Sequence, residues 1–241
     1  MPRKLIIFGN GLGMALNPNH FSLTNALNTI WNLDWILSGE QKELICRCTG
    51  GRAAPVGENE LDVLHLAVTS CEILRSMGGG RVHWLTPEGL QFPPMVARYI
   101  HKVATHLHNY EGQLPEDFIR PLVQFVKDTK SHVATLNYDK LLYTPFIDND
   151  VFSALYRDTF LVDGMLDQGF QTQHLARQFG NDFGYYLHLH GSPLFIDNGD
   201  VIQKLPRDQL TLNTDRVGRH IVLTHVKHKP EIIASSYVLS A

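Results

Sequence analysis

Cysteine is scarce in this chain, with three residues among 241. An odd number builds no disulfide framework, and Cys46-x-Cys48 with a solitary Cys71 offers one metal-ligand pair at most. A closed four-cysteine zinc site needs two such pairs, so it is excluded within the chain. This thiol usage suits a reducing compartment, and the expectation is a cytoplasmic protein. Charge of one sign is also lacking. Lys and Arg total 21 against 24 Asp and Glu, leaving −3, so there is no general attraction to nucleic acid or to anionic membrane. Long apolar runs are missing too: nothing approaches the roughly 20 residues needed to span a bilayer. Leu5-Ile6-Ile7-Phe8 behind Arg3-Lys4 has the outline of a signal peptide, but four apolar residues are too few for its hydrophobic region. No direct nucleic-acid binding and no membrane association are expected. Internal repeats and low-complexity segments are absent.

What is there is the composition of a globular enzyme, 44% hydrophobic and 19% charged. Residues 5–8 suit a buried parallel strand ending in glycines. Residues 22–37 carry a helical pattern through Leu23, Ala26, Leu27, Ile30, Trp31 and Trp35, with Ser22 as N-cap. Residues 50–57 read as loop. A helix is expected over 58–77, on Leu61, Leu64, His65, Val68, Ile73 and Leu74, stopped by Gly78-Gly79-Gly80. Residues 82–94 hold three prolines and read as a connection. Helices follow at 95–110, with Met95, Val96, Tyr99, Val103 and Leu107 on one face, and at 116–129. The period then shortens to strand at 132–136 and again at 185–190. Residues 150–180 read as mixed and partly helical, 196–220 as polar loop with some helix, and Ile221-Val222-Leu223-Thr224 as the last strand. Right-handed crossovers would assemble an α/β fold, a Rossmann-like, mainly parallel sheet with helices on both faces. The stretch from 22 to 130 would be a helical insertion within a single domain. Residues 231–241 run apolar to the last position, so the expectation is that a C-terminal segment is missing.

Three constellations can carry chemistry. Gly9-Asn10-Gly11-Leu12-Gly13 follows the first strand, where glycines admit phosphate to the backbone and a helix N-terminus supplies N–H donors. A tight turn explains it equally, since the sixth position of the dinucleotide fingerprint is Met14. Thr135-Leu136-Asn137-Tyr138-Asp139 lies at a strand's carboxyl end, where ligands of open α/β sheets bind. Its plainer reading is an Asx-turn. His188-Leu189-His190-Gly191-Ser192 ends another strand, with alternation placing both histidines on one face and a near-neutral His available as general base. Thirteen histidines raise the question of metal, but a two-residue spacing without a carboxylate is weak grounds for zinc, and none is assigned. His65, His83, His101, His106, His108 and His132 are read as structural.

In this order, a glycine turn, T-x-N-x-D and H-G-S resemble the sirtuin superfamily, with its G-A-G-x-S turn, T-Q-N-x-D segment and H-G. The resemblance covers roughly residues 5–20, 131–145, 184–196 and, more loosely, 220–241. It implies that Gly9, Asn10, Gly11 and Leu12 face the diphosphate of NAD, and that Asn137 orients the attacking water beside the nicotinamide ribose. Asp139 would support nicotinamide and ribose, His190 would be the general base, and Gly191 and Ser192 would line the ligand. The chain departs from the pattern at Asn10, Gly13 and Leu136, and the family's later adenosine-side segment would fall beyond residue 241.

Without a zinc ribbon, the chain looks like the bacterial sirtuin-like domains of antiviral defence rather than the deacylases. That likeness implies hydrolysis of NAD, as substrate rather than cofactor, to nicotinamide and ADP-ribose in abortive infection. It also implies a homo-oligomer or a complex with a partner such as a HerA-type ATPase. Breaking the bond needs few groups: a pocket, an amide that places water, and a base. Three other readings stand beside this one: a module that senses NAD or ADP-ribose without turnover, an ADP-ribosyltransferase, and a metal-dependent hydrolase.

Overall fold

The computed structural model describes residues 3–78, 84–147, 161–163, 165–166, 169–170, 184–197, 202–205, 209–213 and 221. Its centre is a four-stranded parallel sheet in the order β1-β2-β6-β3, formed by β1 (Leu5–Phe8), β2 (His132–Thr135), β6 (Gly184–His188) and β3 (Leu161–Val162). Phe8 pairs with Thr135 and Thr135 with His188, so β1, β2 and β6 end together at one edge of the sheet. Two short antiparallel pairs accompany it, β4 (Met165–Leu166) with β5 (Gly169–Phe170) and β7 (Phe195–Asp197) with β8 (Ile202–Lys204). Gly184 is required where β6 begins: a Cβ there would lie 2.2 Å from the Ser131 carbonyl oxygen.

Helices occupy the chain between β1 and β2. They are α1 (Gly11–Leu16), α2 (Pro18–Phe21), α3 (Leu23–Trp31), α4 (Gly39–Thr49), α5 (Glu58–Met77), α6 (Pro87–His108) and α7 (Glu116–Thr129); α8 (Tyr143–Ile147) follows β2. Caps explain several starts. Ser22 accepts from Asn25 N at α3, and Ser38 with Gln41 forms a capping box at α4. Thr86 accepts from Gly89 N ahead of Pro87, which suits the first helical position.

Several expectations need correction. Residues 87–94 belong to α6 rather than to a connection. Pro93 and Pro94 each forgo a backbone N–H, but Phe92, Met95, Val96 and Tyr99 are buried around them, and that burial holds the helix through the break. The helix expected to reach residue 37 ends at Trp31, leaving Trp35 48% exposed. Ile73, assigned to the core stripe of α5, is exposed and lies in register with exposed Val63, Leu66 and Met77 on the opposite side. β1 is the outer strand of the described sheet; Leu5 and Ile7 are exposed while Ile6 and Phe8 pack inward. The polar stretch after 195 contains the β7–β8 hairpin. Of the strand expected at 221–224, residue 221 is buried without strand structure and the remainder lies outside the described residues, as do 231–241 and most of 150–180.

Two hydrophobic clusters result. One joins α2–α6 through Phe21, Leu27, Ile30, Ile45, Leu64, Tyr99 and Val103. The other lies on the sheet and includes Val133, Tyr186, Phe146, Leu194 and Val126 of α7, so α7 packs with the sheet. Tyr138 and Leu141, just after β2, belong to the helical cluster. The turn following the central strand is therefore gripped by both cores.

Candidate active site at the strand ends

The three motifs, more than a hundred residues apart in part, meet where the strands stop. Leu136 N donates to Phe8 O at 2.9 Å and Leu189 N to Thr135 O at 3.0 Å, extending the ladder one residue past each strand. Asn137 Nδ2 then donates to Gly9 O at 3.0 Å, joining the second motif to the first. The Asn137 backbone N–H is held as well, donating to Thr135 Oγ1 at 3.0 Å.

Asn137 is 5% exposed and its Oδ1 is buried, with no hydrogen-bond partner among the described residues. An amide oxygen accepts two hydrogen bonds, and leaving it bare out of water costs about 1–3 kcal/mol. Tyr138 turns the opposite way, into the helical cluster, and burial pushes its phenol well above the ordinary range. Asp139 comes back to the Asn137 side. It is 5% exposed, and its Oδ1 accepts from Leu141 N at 3.0 Å in an Asx-turn. Burial raises its carboxyl to about 6, against the opposing pull of the Leu141 N–H, its own N–H and the Asn137 side chain. The turn can thus offer a bare acceptor and a carboxyl raised by burial to about 6.

The third motif lies beside it. β6 ends at His188, so His190 sits in the following turn rather than on the strand face expected from alternation. Gly191 has φ of 80°, a left-handed turn that glycine adopts without strain. His190 is half-buried, whereas the ring nitrogens of His188 are shielded among Tyr143, Tyr186 and Phe195, with ring centroids 5.0–5.2 Å away. Ser192 points inward at 1% exposure, its Oγ accepting from Leu194 N at 3.3 Å; its side chain closes the loop.

The glycine turn is held from behind. Asn10 Nδ2 donates to Phe21 O at 3.1 Å, and the Phe21 ring fills the space a Gly13 Cβ would need. Leu12 N returns to Gly9 O at 3.2 Å. Gly9 and Gly11 have no positive φ, and a Cβ on either would meet nothing within 4 Å. Backbone strain does not call for glycine at these two positions; its effect is to leave the loop surface bare.

Several neighbours carried no sequence signal. Asp163, directly after β3, accepts from Tyr143 Oη at 2.6 Å and from Lys204 Nζ at 2.9 Å, both members of the ion pair being largely buried. It fixes the β7–β8 hairpin to the sheet's carboxyl edge. His101 and His108 of α6 are buried and bond to the carbonyls of Pro193 and Tyr138, and Lys102 and Thr105 of the same helix are buried as well. Elsewhere, a cavity of about 450 Å³ opens between α4 and α6, floored by Leu44, Phe92 and Met95 and rimmed by Glu40, Glu43 and Glu88. No strand end and no bare buried acceptor borders it, and the carboxyl of Glu88 on its rim is exposed and held below its ordinary range by hydrogen bonds to its own N–H and to Thr86. Among the described residues, no three His, Cys, Asp or Glu side chains gather as a metal site, and no helix is long and apolar enough to cross a membrane. Comparison with protein families and with curated proteins finds no match.

Proposed function

We propose that the strand-end site binds NAD and hydrolyses its nicotinamide–ribose bond, and that the parallel sheet is of the Rossmann-like kind. The observation that carries the reading is Asn137: a buried carboxamide, steered by Gly9 O, presenting an acceptor with no protein partner among the described residues. That oxygen is placed to take a hydrogen from a water, which would attack ribose C1′ as the bond to nicotinamide nitrogen breaks. The bond's electrons leave with neutral nicotinamide, and the water's proton passes to His190. ADP-ribose and nicotinamide result, and the proton is released to solvent. Asp139, adjacent to Asn137, would hold the carboxamide or a ribose hydroxyl, and the bare surface of Gly9 and Gly11 would lie against the diphosphate. Antiviral depletion of NAD, self-assembly and a HerA-type ATPase partner extend the proposal on resemblance alone.

The test is NAD hydrolysis by the purified protein, with nicotinamide and ADP-ribose followed by chromatography. Asn137→Ala should lower turnover by about 100-fold or more, the usual cost of a removed positioning group. His190→Ala should lower it by roughly 10²–10⁴-fold. Equal hydrolysis by wild type and both variants would sink the assignment. Binding of NAD without nicotinamide release would transfer the site to the sensing reading.

A further inference from the structure

One helix holds two of the three strand-end loops with histidines, and a third histidine packs beside the helix that holds the glycine turn. His101, on α6, is fully buried and its Nε2 lies 3.1 Å from Pro193 O, in the loop that follows His190. His108 is 2% exposed and its Nδ1 lies 2.9 Å from Tyr138 O, between Asn137 and Asp139. His106 packs on His20 of α2, with ring centroids 4.6 Å apart; the next residue, Phe21, accepts from Asn10 in the glycine turn. A carbonyl oxygen only accepts, so the proton sits on Nε2 of His101 and on Nδ1 of His108. The two histidines are seven residues apart, which is two helical turns or about 10 Å along one face.

We propose that α6 is the positioning element of the site. His101 holds the loop behind His190, His108 holds the Asn137–Asp139 turn, and the rigid helix between them sets the distance from one to the other. Beyond their strands these loops are irregular. Gly191 turns left-handed, and within its loop Leu194 N is satisfied only locally by Ser192. A misplacement of about 1 Å can cost about 100-fold in turnover, so an external brace has a function that filling space does not. Neither histidine touches a ligand in this scheme; both act through the loops they hold.

The two ring nitrogens supply a selective test. A glutamine amide nitrogen superposes on His Nε2, and an asparagine amide nitrogen on His Nδ1. His101→Gln and His108→Asn therefore keep the hydrogen bonds, whereas His101→Asn and His108→Gln lose them. The kinetic arm rests on the NAD-cleavage reading. His101→Asn should lower kcat about tenfold with KM changed by less than about twofold, because His190 acts in the chemical step. His108→Gln should lower kcat and raise KM, because its turn carries both Asn137 and Asp139. The matched variants should stay within about threefold of wild type. A second arm needs no turnover: hydrogen exchange at the Leu141 and Leu194 amides, which are bonded to Asp139 and Ser192, should quicken only in the mismatched variants. If either mismatched variant fails to fold, the other pair carries the same comparison. Active wild type with four indistinguishable variants overturns the proposal, as does equal damage by matched and mismatched residues. Wild type that neither binds nor cleaves NAD overturns the reading of the site instead, and the exchange pattern then decides the positioning role alone.

Discussion

Replacing Asp139 with asparagine separates what that residue costs the fold from what it contributes to the site. Burial raises the carboxyl from 3.8 to about 6, so the folded protein favours the neutral acid. A raised folded pKa means stability that is fully present below the unfolded value and lost as pH rises through the folded one. At about 1.4 kcal/mol per pH unit, the full loss is about 3 kcal/mol, complete above roughly pH 6 to 7. Asparagine does not titrate, yet its Oδ1 can accept from Leu141 N as the carboxylate does.

Asp139→Asn should therefore gain on wild type as pH rises. By pH 4.5 the unfolded wild-type carboxyl is already mostly ionised, so about 1 kcal/mol has been lost there; the remaining advantage to the variant, about 2 kcal/mol, should develop between pH 4.5 and 8. Urea unfolding of both proteins at the two pH values measures it, and the fixed cost of seating a new amide group cancels in the comparison. For a protein of this size the same change would move the melting temperature by roughly 4–8 °C. In the nicotinamide-release assay at pH 8 the variant should be impaired despite that gain in stability relative to pH 4.5. A gap of equal size at pH 4.5 and 8 would refute the claim that Asp139 is held as an acid by its surroundings.

Three further outcomes follow from other contacts. Gly13→Ala places a Cβ 2.7 Å from Phe21 Cγ and should cost about 1–3 kcal/mol by overpacking; an unchanged urea midpoint would show that the α1–α2 contact is loose. Lys204→Met removes the counter-ion of the buried Asp163 carboxylate and should cost up to about 3–5 kcal/mol, much of it recovered in the double variant with Asp163→Asn, as measured by chemical unfolding. Burial chiefly lowers the pKa of His20 and His106, further lowered for His106 by the neighbouring His20 and opposed for His20 by backbone carbonyls of Leu107 and His106. Their neutral forms are favoured in the fold, so this stability is present above about pH 6.5 and falls as pH drops. His106→Phe should flatten the decline in melting temperature between pH 7 and 5, and an undiminished decline would remove these rings from the account.

Strand ends were legible in the sequence because they announce themselves locally. LIIF stops at glycine, HVAT at an Asx-turn, and YYLH at a Gly-Ser-Pro run, and in each case β-branched or aromatic residues give way to turn formers. The α5 helix was legible from its apolar period and its glycine stop. α4 was missed although Ser38-Gly39-Glu40-Gln41 is a capping-box spacing; its apolar positions are too few to show a stripe. Pro93-Pro94 misled because a proline pair normally breaks a helix, and only the surrounding burial outweighs it. Ile73 misled because α5 is apolar on two opposite sides, and periodicity alone does not say which side meets the core. The histidines of α6 carried no signal at all. A lone His bonded to a backbone carbonyl depends on a loop thirty or ninety residues away, and nothing in its own neighbourhood marks that partner.

The Asn137–Asp139 turn is where local and global demands part. An unpartnered buried amide oxygen costs about 1–3 kcal/mol and an acid raised to about 6 costs about 3 kcal/mol at neutral pH, both within three residues. Neither cost is imposed by the chain's geometry. The Asx-turn to Leu141 needs one acceptor, which asparagine or serine at 139 would also supply, and the steering bond to Gly9 O uses only the amide nitrogen of Asn137. Such features persist where something outside the resting fold compensates for them. They stand at the carboxyl edge of a parallel sheet, beside a loop left bare by Gly9 and Gly11, with a half-buried histidine on the neighbouring turn. A ligand offering a hydrogen to Asn137 and a polar group to Asp139 would relieve both costs at once. Affinity for such a ligand should therefore fall with Asp139→Asn while the variant's stability against wild type rises with pH, a pairing of opposite signs that a purely structural turn has no reason to produce.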